Sequence, residues 1–269
     1  MNLSKWLFAI MFCVAANGVA VAEDLALKAA VSAASRTKEN TLRDTARHPY
    51  ETLSFFGIKP NMTVVELMPE GGWYTEILAP YLREKGTLIG VDGPIVEGEK
   101  GFFTQQFRNF LATKPAVYDR VKIGLFEPRK KAFDFAKNGT VDMVLTFRNV
   151  HNWVGEKDEA IKAALSAVFA SLKSGGIFGV VDHRRPEAMP QDTRAMSGYV
   201  HESYVIRLAE EAGFKLVTKS EINANPKDDA DYTFGVWSLP PSLSNGAYKR
   251  EKYLAIGESD RMTLKFIKP

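Results

Sequence analysis

The stretch Thr-Val-Val-Glu-Leu-Met-Pro-Glu-Gly-Gly-Trp-Tyr-Thr, residues Thr63–Thr75, decides how this chain is read. A β-branched run ends on the acidic Glu66, breaks at Pro69 and Gly71-Gly72, and then enters the helix-like run from Trp73 to Ala79. A strand, a glycine turn and a helix start set backbone N–H groups and the positive end of a helix dipole against a small-molecule cofactor. Paired glycines after a strand are common, so the reading needs a second strand. Leu88-Ile89-Gly90-Val91-Asp92 supplies it, and its acidic end falls 26 positions after Glu66. An acidic residue there can accept both hydroxyls of a ribose; alternatively, Asp92 opens a turn with Gly93-Pro94.

Short apolar strands then alternate with helices. Strands are expected at Val64–Met68, Thr87–Asp92, Val121–Leu125, Val141–Phe147, Ile177–Asp182 and Phe214–Ser220. Helices are expected at Tyr74–Leu82, Phe102–Ala112, Ala160–Leu172 and His201–Ala212. Such alternation predicts a mostly parallel sheet covered by helices on both faces. The C-terminal part differs: Thr233–Leu239 and Met262–Ile267 read as strands with only turn signals between them, an antiparallel addition to the sheet. Residues 23–57 read as a helical cap interrupted at Pro49 and closed by Gly57, and residues 58–269 as the main domain.

The first 22 residues have the pattern of an export signal. Lys5 precedes the apolar Trp6–Val14, and Ala20-Val21-Ala22 offers a cleavage site before Glu23. The sole cysteine, Cys13, lies within this segment, so cleavage would leave a chain with no disulfide, thiolate nucleophile or zinc-thiolate site. The expected location is periplasmic or secreted, with no stable membrane span after cleavage. A net charge of +3, with short basic clusters at Arg129-Lys130-Lys131 and Arg184-Arg185, gives no electrostatic argument for nucleic acid.

Two polar clusters follow apolar strands on the side where an open α/β sheet binds ligands. In Arg148-Asn149-Val150-His151-Asn152-Trp153, His151 has the chemistry of a general base, or else His151 and Asn152 tie the loop to the cap at Arg47 or His48. In Asp182-His183-Arg184-Arg185, neighbours on an extended strand point oppositely, so only one of Asp182 and His183 faces the crevice and the two form no dyad with each other. No metal site is expected, because no His-x-x-x-His or similar spacing occurs; His151 and His183 would be the pair to hold an ion. Trp73, Tyr74, Trp153 and Tyr199 are candidates for an aromatic pocket wall or for core and lid positions.

Taken together, Thr63–Leu82, Leu88–Asp92, Val141–Trp153, Leu172–Asp182 and Glu202–Val217 resemble the successive motifs of class I S-adenosylmethionine-dependent methyltransferases. Arg47-His48-Pro49, Gly71–Glu76 and Phe147–Trp153 resemble, more narrowly, a group of exported bacterial predicted methyltransferases. The resemblance implies a Rossmann-like seven-strand sheet and S-adenosylmethionine as cofactor. It implies cofactor contacts at Glu66, Met68, Glu70, Gly71, Gly72, Asp92, Glu127 and Arg148, with His151 and His183 as catalytic candidates. Glu127 follows the third strand, where the family often contacts the adenine amino group, and is equally readable as a surface turn with Pro128.

The chain departs from the family at the first motif, acidic-x-Gly-x-Gly-x-Gly. Met68 and Glu70 occupy the first two glycine places and Gly72 the last. Their Cβ atoms disfavour positive φ, so the loop is expected to adapt, with Pro69 setting a different path and Glu70 facing solvent. The implied function is methyl transfer to a small molecule or other acceptor, whose identity and whose oligomeric context no motif encodes. Its rival is a noncatalytic periplasmic ligand-binding protein that keeps the fold. A nicotinamide-dependent oxidoreductase fits Asp92 but not the Phe147–Trp153 cluster or the antiparallel end.

Overall fold

β1 (Thr63–Leu67) and β2 (Thr87–Asp92) form side by side and parallel, with Glu66 level with Gly90, as the opening stretch requires. The computed structural model describes residues 24–93, 102–155 and 158–269; the export segment expected at residues 1–22 lies outside them. The remaining strands are β3 (Lys122–Glu127), β4 (Ala132–Asp134), β5 (Val141–Phe147), β6 (Leu172–Arg185), β7 (Val200–His201), β8 (Lys215–Ser220) and β9 (Arg261–Ile267). They make one nine-stranded sheet in the order β4-β3-β2-β1-β5-β6-β9-β8, with β7 against the end of β6. The chain reverses strand order at β1, so the crevice for a ligand opens where β1 and β5 end.

Alternation along the strands divides the core into two layers. Val65, Leu67, Val144 and Val180 face the helices Asp158–Ser171 and Glu202–Glu211 through Ile161, Leu165, Val168, Val205 and Leu208. Val64, Leu88, Met143 and Leu145 face the other way, onto Leu27 of helix Leu25–Val31, Leu53 and Phe56 of Pro49–Phe56, and Ile77 and Leu78 of Thr75–Leu82. The N-terminal helices therefore share their core with the sheet. Among the described residues, no helix is long and apolar enough to cross a membrane.

Three expectations are corrected here. Thr233–Leu239 is not a strand; it contains a 3-10 turn over Gly235–Ser238. Gly235 sits at φ 52 so close to Ser197 that a Cβ would fall 2.1 Å from its carbonyl oxygen, and the Val236 N–H donates to that oxygen at 2.8 Å. Such a close approach bends the segment away from any sheet. Second, β9 does not extend the sheet edge but inserts between β6 and β8, antiparallel to both. Third, β6 starts at Leu172 rather than Ile177: Gly175, at φ 77, and a register shift opposite Val141–Met143 absorb the expected glycine turn within the strand.

Candidate functional site

In the loop after β1, Met68, Glu70 and Gly72 have φ of 47, 50 and 71, so Met68 and Glu70 adopt the left-handed conformation that their Cβ atoms were expected to oppose. Long-range contacts hold this left-handed conformation. The Met68 N–H donates to the Val91 carbonyl at 2.7 Å, and the Met68 sulfur accepts from Trp153 Nε1 at 3.3 Å. At Gly72 a side chain is excluded, because a Cβ would lie 2.2 Å from the Phe110 ring. Glu70 does not simply face solvent; it is half-buried and lines the cavity described below. A non-glycine residue in this region costs about 1–2 kcal/mol, and glycine's extra chain entropy offsets part of any relief. Glu70→Gly is therefore expected to raise the unfolding free energy by about 0.5 kcal/mol in urea titrations. A loss of stability would show that the glutamate side chain itself supports the loop.

Glu66 fastens the loop to the next helix. Its carboxylate accepts from the Thr75 hydroxyl at 2.6 Å, yet burial outweighs that bond and pushes its pKa up to about 7. The folded state therefore binds this proton more tightly than the unfolded chain does. The resulting stability is complete below the ordinary value of 4.5 and is lost as pH rises through about 7. Glu66→Gln is expected to remove that decline, worth about 3 kcal/mol, from unfolding curves collected across the interval.

The cavity has a volume of about 260 Å³ and opens at the ends of β1 and β5. Glu66, Met68, Glu70, Arg148, His151 and His183 line it, so six of the expected site residues converge. Trp73 and Tyr74 also form its wall, whereas Trp153 is core and Tyr199 is buried with its hydroxyl donating to Asp228. Gly71, Gly72, Asp92 and Glu127 do not line the cavity. Asp92 is buried at the end of β2, where one carboxylate oxygen accepts from the Gly93 N–H at 2.8 Å. Glu127 ends β3 and pairs with Lys130 at 3.7 Å.

His151 is held by a carboxylate, not by the cap. Its Nδ1 lies 2.8 Å from Asp182 Oδ1, and its backbone N–H donates to Oδ2 at 2.9 Å. The fully buried Asp182 also accepts from the His183 N–H at 2.7 Å. Bound this way, Nδ1 carries the proton and Nε2 is left as the basic nitrogen. The alternative of a His151 tie to Arg47 or His48 is thereby replaced. His183 lines the cavity and shares a 2.5 Å hydrogen bond with Ser259 through Nδ1. The two imidazoles lie 5.3 Å apart, centre to centre. Burial, then His151, Arg148, Arg261 and Arg47, hold His183 well below the ordinary histidine value, which keeps it neutral. His151, Asp182 and His183 bring their ligand-type atoms within 4.8 Å, a grouping the linear spacing did not foretell. Asp182 accepts from three protein donors, His151 Nδ1 among them, so the cluster has the chemistry of an oriented base.

The sequence placed Asn149 in the ligand-side cluster and Arg47 in a motif and a possible tether without giving either a site role, and it did not single out Trp237 or Glu258. Asn149 Nδ2 donates to the Leu67 carbonyl at 3.0 Å and so joins the ends of β5 and β1. Trp237 reaches the cavity from the turn that replaced an expected strand. Glu258 lies 3.2 Å from Arg47 although 211 positions separate them, and no local pattern marks such a pair.

No protein-family model matches the chain, and no curated protein matches it. Solved structures do. A SAM-dependent methyltransferase from Aquifex aeolicus aligns with a TM-score of 0.55 at 17% identity, over 84% of this chain and 93% of that one. Its fold is that of the S-adenosylmethionine-dependent methyltransferases. Phosphoethanolamine N-methyltransferase 2 of Haemonchus contortus aligns with a TM-score of 0.57 at 14% identity, over 83% of this chain and 52% of that one. The methyltransferase fold is also shared with the [4+2]-cyclase SpnF, at a TM-score of 0.58 and 13% identity over 83% of this chain and 81% of that one. Within the methyltransferase fold, architecture alone does not name a reaction, and the side chains of the cavity must do so.

Proposed function

We propose that this protein transfers a methyl group from S-adenosylmethionine to a small-molecule acceptor, with His151 as general base. The observation that carries the reading is the meeting, in one cavity, of Met68 and Glu70 in left-handed conformation and His151, whose Nδ1 is bound by Asp182. The residues suit the cofactor: Met68 and Glu70 take positive φ despite their side chains, and Asp92 ends β2. Glu66, Met68, Glu70, Gly71, Gly72 and Asp92 would hold it, Asp92 through the ribose hydroxyls. When bound, S-adenosylmethionine supplies an electrophilic methyl group on a sulfonium.

The chain's own contribution is alignment and proton removal. Trp73, Tyr74 and Phe147 form an apolar wall, with the Tyr74 and Phe147 rings stacked at 3.5 Å, and this wall restricts the acceptor's orientation. His151 Nε2 takes the proton from an acceptor O–H or N–H, and Asp182 stabilises the imidazolium that results. The pattern of residues 1–22 supports an exported protein, and an intact mass beginning at Glu23 would check it.

Calorimetry of the mature protein with S-adenosylhomocysteine tests the cofactor, with NAD as control. Binding is expected for the first alone. Asp92→Ala is expected to weaken it by ten- to a hundredfold, matching ~1.5–3 kcal/mol for a charged hydrogen bond. Absence of binding in the parent protein, or binding of NAD, would overturn the reading.

A further inference from the structure

The cavity carries more positive charge than its neighbours neutralise. Arg43, Arg47 and Arg261 all converge on one carboxylate, that of Glu258, at 2.6, 3.2 and 3.2 Å. Their attraction outweighs its burial and holds Glu258 down at about 2, so it is ionised, but it is one charge against three. Burial and Arg148 together press Arg47 well below the ordinary arginine value. Arg47 is 2% exposed, lines the cavity, and its Nη2 has no hydrogen-bond partner among the described residues. Its guanidinium carbon lies 4.6 Å from the centre of the Trp73 ring, a cation–π contact. Arg148, at φ 64 directly after β5, lines the same cavity and makes no ion pair among the described residues.

A buried donor without a partner is costly, and uncompensated buried cations are more so. Natural sites keep such groups where a ligand completes them. Glu70 and Glu66 also line the cavity; Glu70 attracts Arg148 without an ion pair to it among the described residues, and burial pushes the pKa of Glu66 up to about 7. Arg47 and Arg148 share the lining of this cavity with His151 and His183. Asp92, the expected ribose ligand, does not line this space.

We infer that Arg47 and Arg148 form an anion subsite that binds a carboxylate or phosphate group of the methyl acceptor and sets its nucleophile against His151. The inference rests on the methyltransferase reading and narrows it to acidic small molecules. Arginine forks suit both anions, since each presents oxygens that accept paired N–H bonds. The two guanidiniums lining the same cavity disfavour a divalent cation there.

The test uses inorganic phosphate and succinate as probes, titrated by calorimetry into the mature protein with and without saturating S-adenosylhomocysteine. At least one probe is expected to bind saturably in both conditions. Arg148→Gln is expected to weaken it at least tenfold while S-adenosylhomocysteine affinity stays within threefold. Arg148→Lys is expected to fall between, because it keeps charge and loses the fork; thermal unfolding confirms that both variants fold. Competition between probe and S-adenosylhomocysteine would overturn the inference by assigning the arginines to the cofactor's own carboxylate. So would failure of both probes to bind in a protein that binds S-adenosylhomocysteine, and the methyltransferase reading would survive either result. Probe binding without any S-adenosylhomocysteine binding would instead remove the methyltransferase reading, and with it the assignment to an acceptor.

Discussion

Glu258→Ala is expected to lower the unfolding free energy by about 3 kcal/mol, the scale for removing one partner from a buried ion pair. The carboxylate is the shared counterion of Arg43, Arg47 and Arg261, and the side chains of the last two are 2% and 4% exposed. Without it, three guanidiniums repel one another in a poorly hydrated space. Urea unfolding at neutral pH measures the loss. In the parent protein this contribution has a defined pH window. Because Glu258 is depressed to about 2, its stabilisation is full above the ordinary value of 4.5 and disappears as pH falls through about 2. A loss under about 1 kcal/mol in the alanine variant would show that solvent or bound anions already neutralise the arginines.

His151→Gln is expected to reduce methyl transfer by about 10²–10⁴-fold, the usual contribution of a positioned general base. S-adenosylhomocysteine affinity should stay nearly constant, since His151 acts on the acceptor. Asp182→Asn should reduce turnover as well, because the amide offers one oxygen where the carboxylate now accepts from His151 Nδ1, His151 N–H and His183 N–H. Residues acting as a unit are not additive, so the double variant should be little worse than His151→Gln alone. S-adenosylhomocysteine release with an acidic acceptor follows the rates. Independent, multiplying losses would mean that Asp182 does not act through His151.

Much of the architecture was legible because it is written in local periodicity. The β-branched run before Glu66, the strand ending on Asp92, and Val141–Phe147 each carry a pattern set by neighbours along the chain, and the first sheet register follows from them. Phe214–Ser220 and Met262–Ile267 were visible as strands for the same reason, but not their pairing, since strand order depends on contacts far apart in sequence. Thr233–Leu239 misled because its β-forming residues were read without Ser197, whose carbonyl imposes the turn at Gly235. Met68 and Glu70 misled in the opposite sense. Intrinsic preference opposes positive φ there, and tertiary bonds to Val91 and Trp153 hold Met68 in it.

The sequence by itself determined an α/β sheet with a loop and two acidic strand ends suited to a nucleoside-bearing cofactor, and placed His151, Arg148 and His183 after strands that face the crevice. Tertiary structure alone decided what those residues touch. Asp182 reaches His151 across 31 positions because β5 and β6 are adjacent and parallel. Ser259 and Glu258 arrive at His183 and Arg47 because they immediately precede β9, which inserts beside β6 with His183 opposite Arg261. Hydrogen bonds and charge pairs act over a few ångströms of space, whatever the distance along the chain, so the His151–Asp182 pair and the arginine-lined pocket exist only once the strands have been ordered.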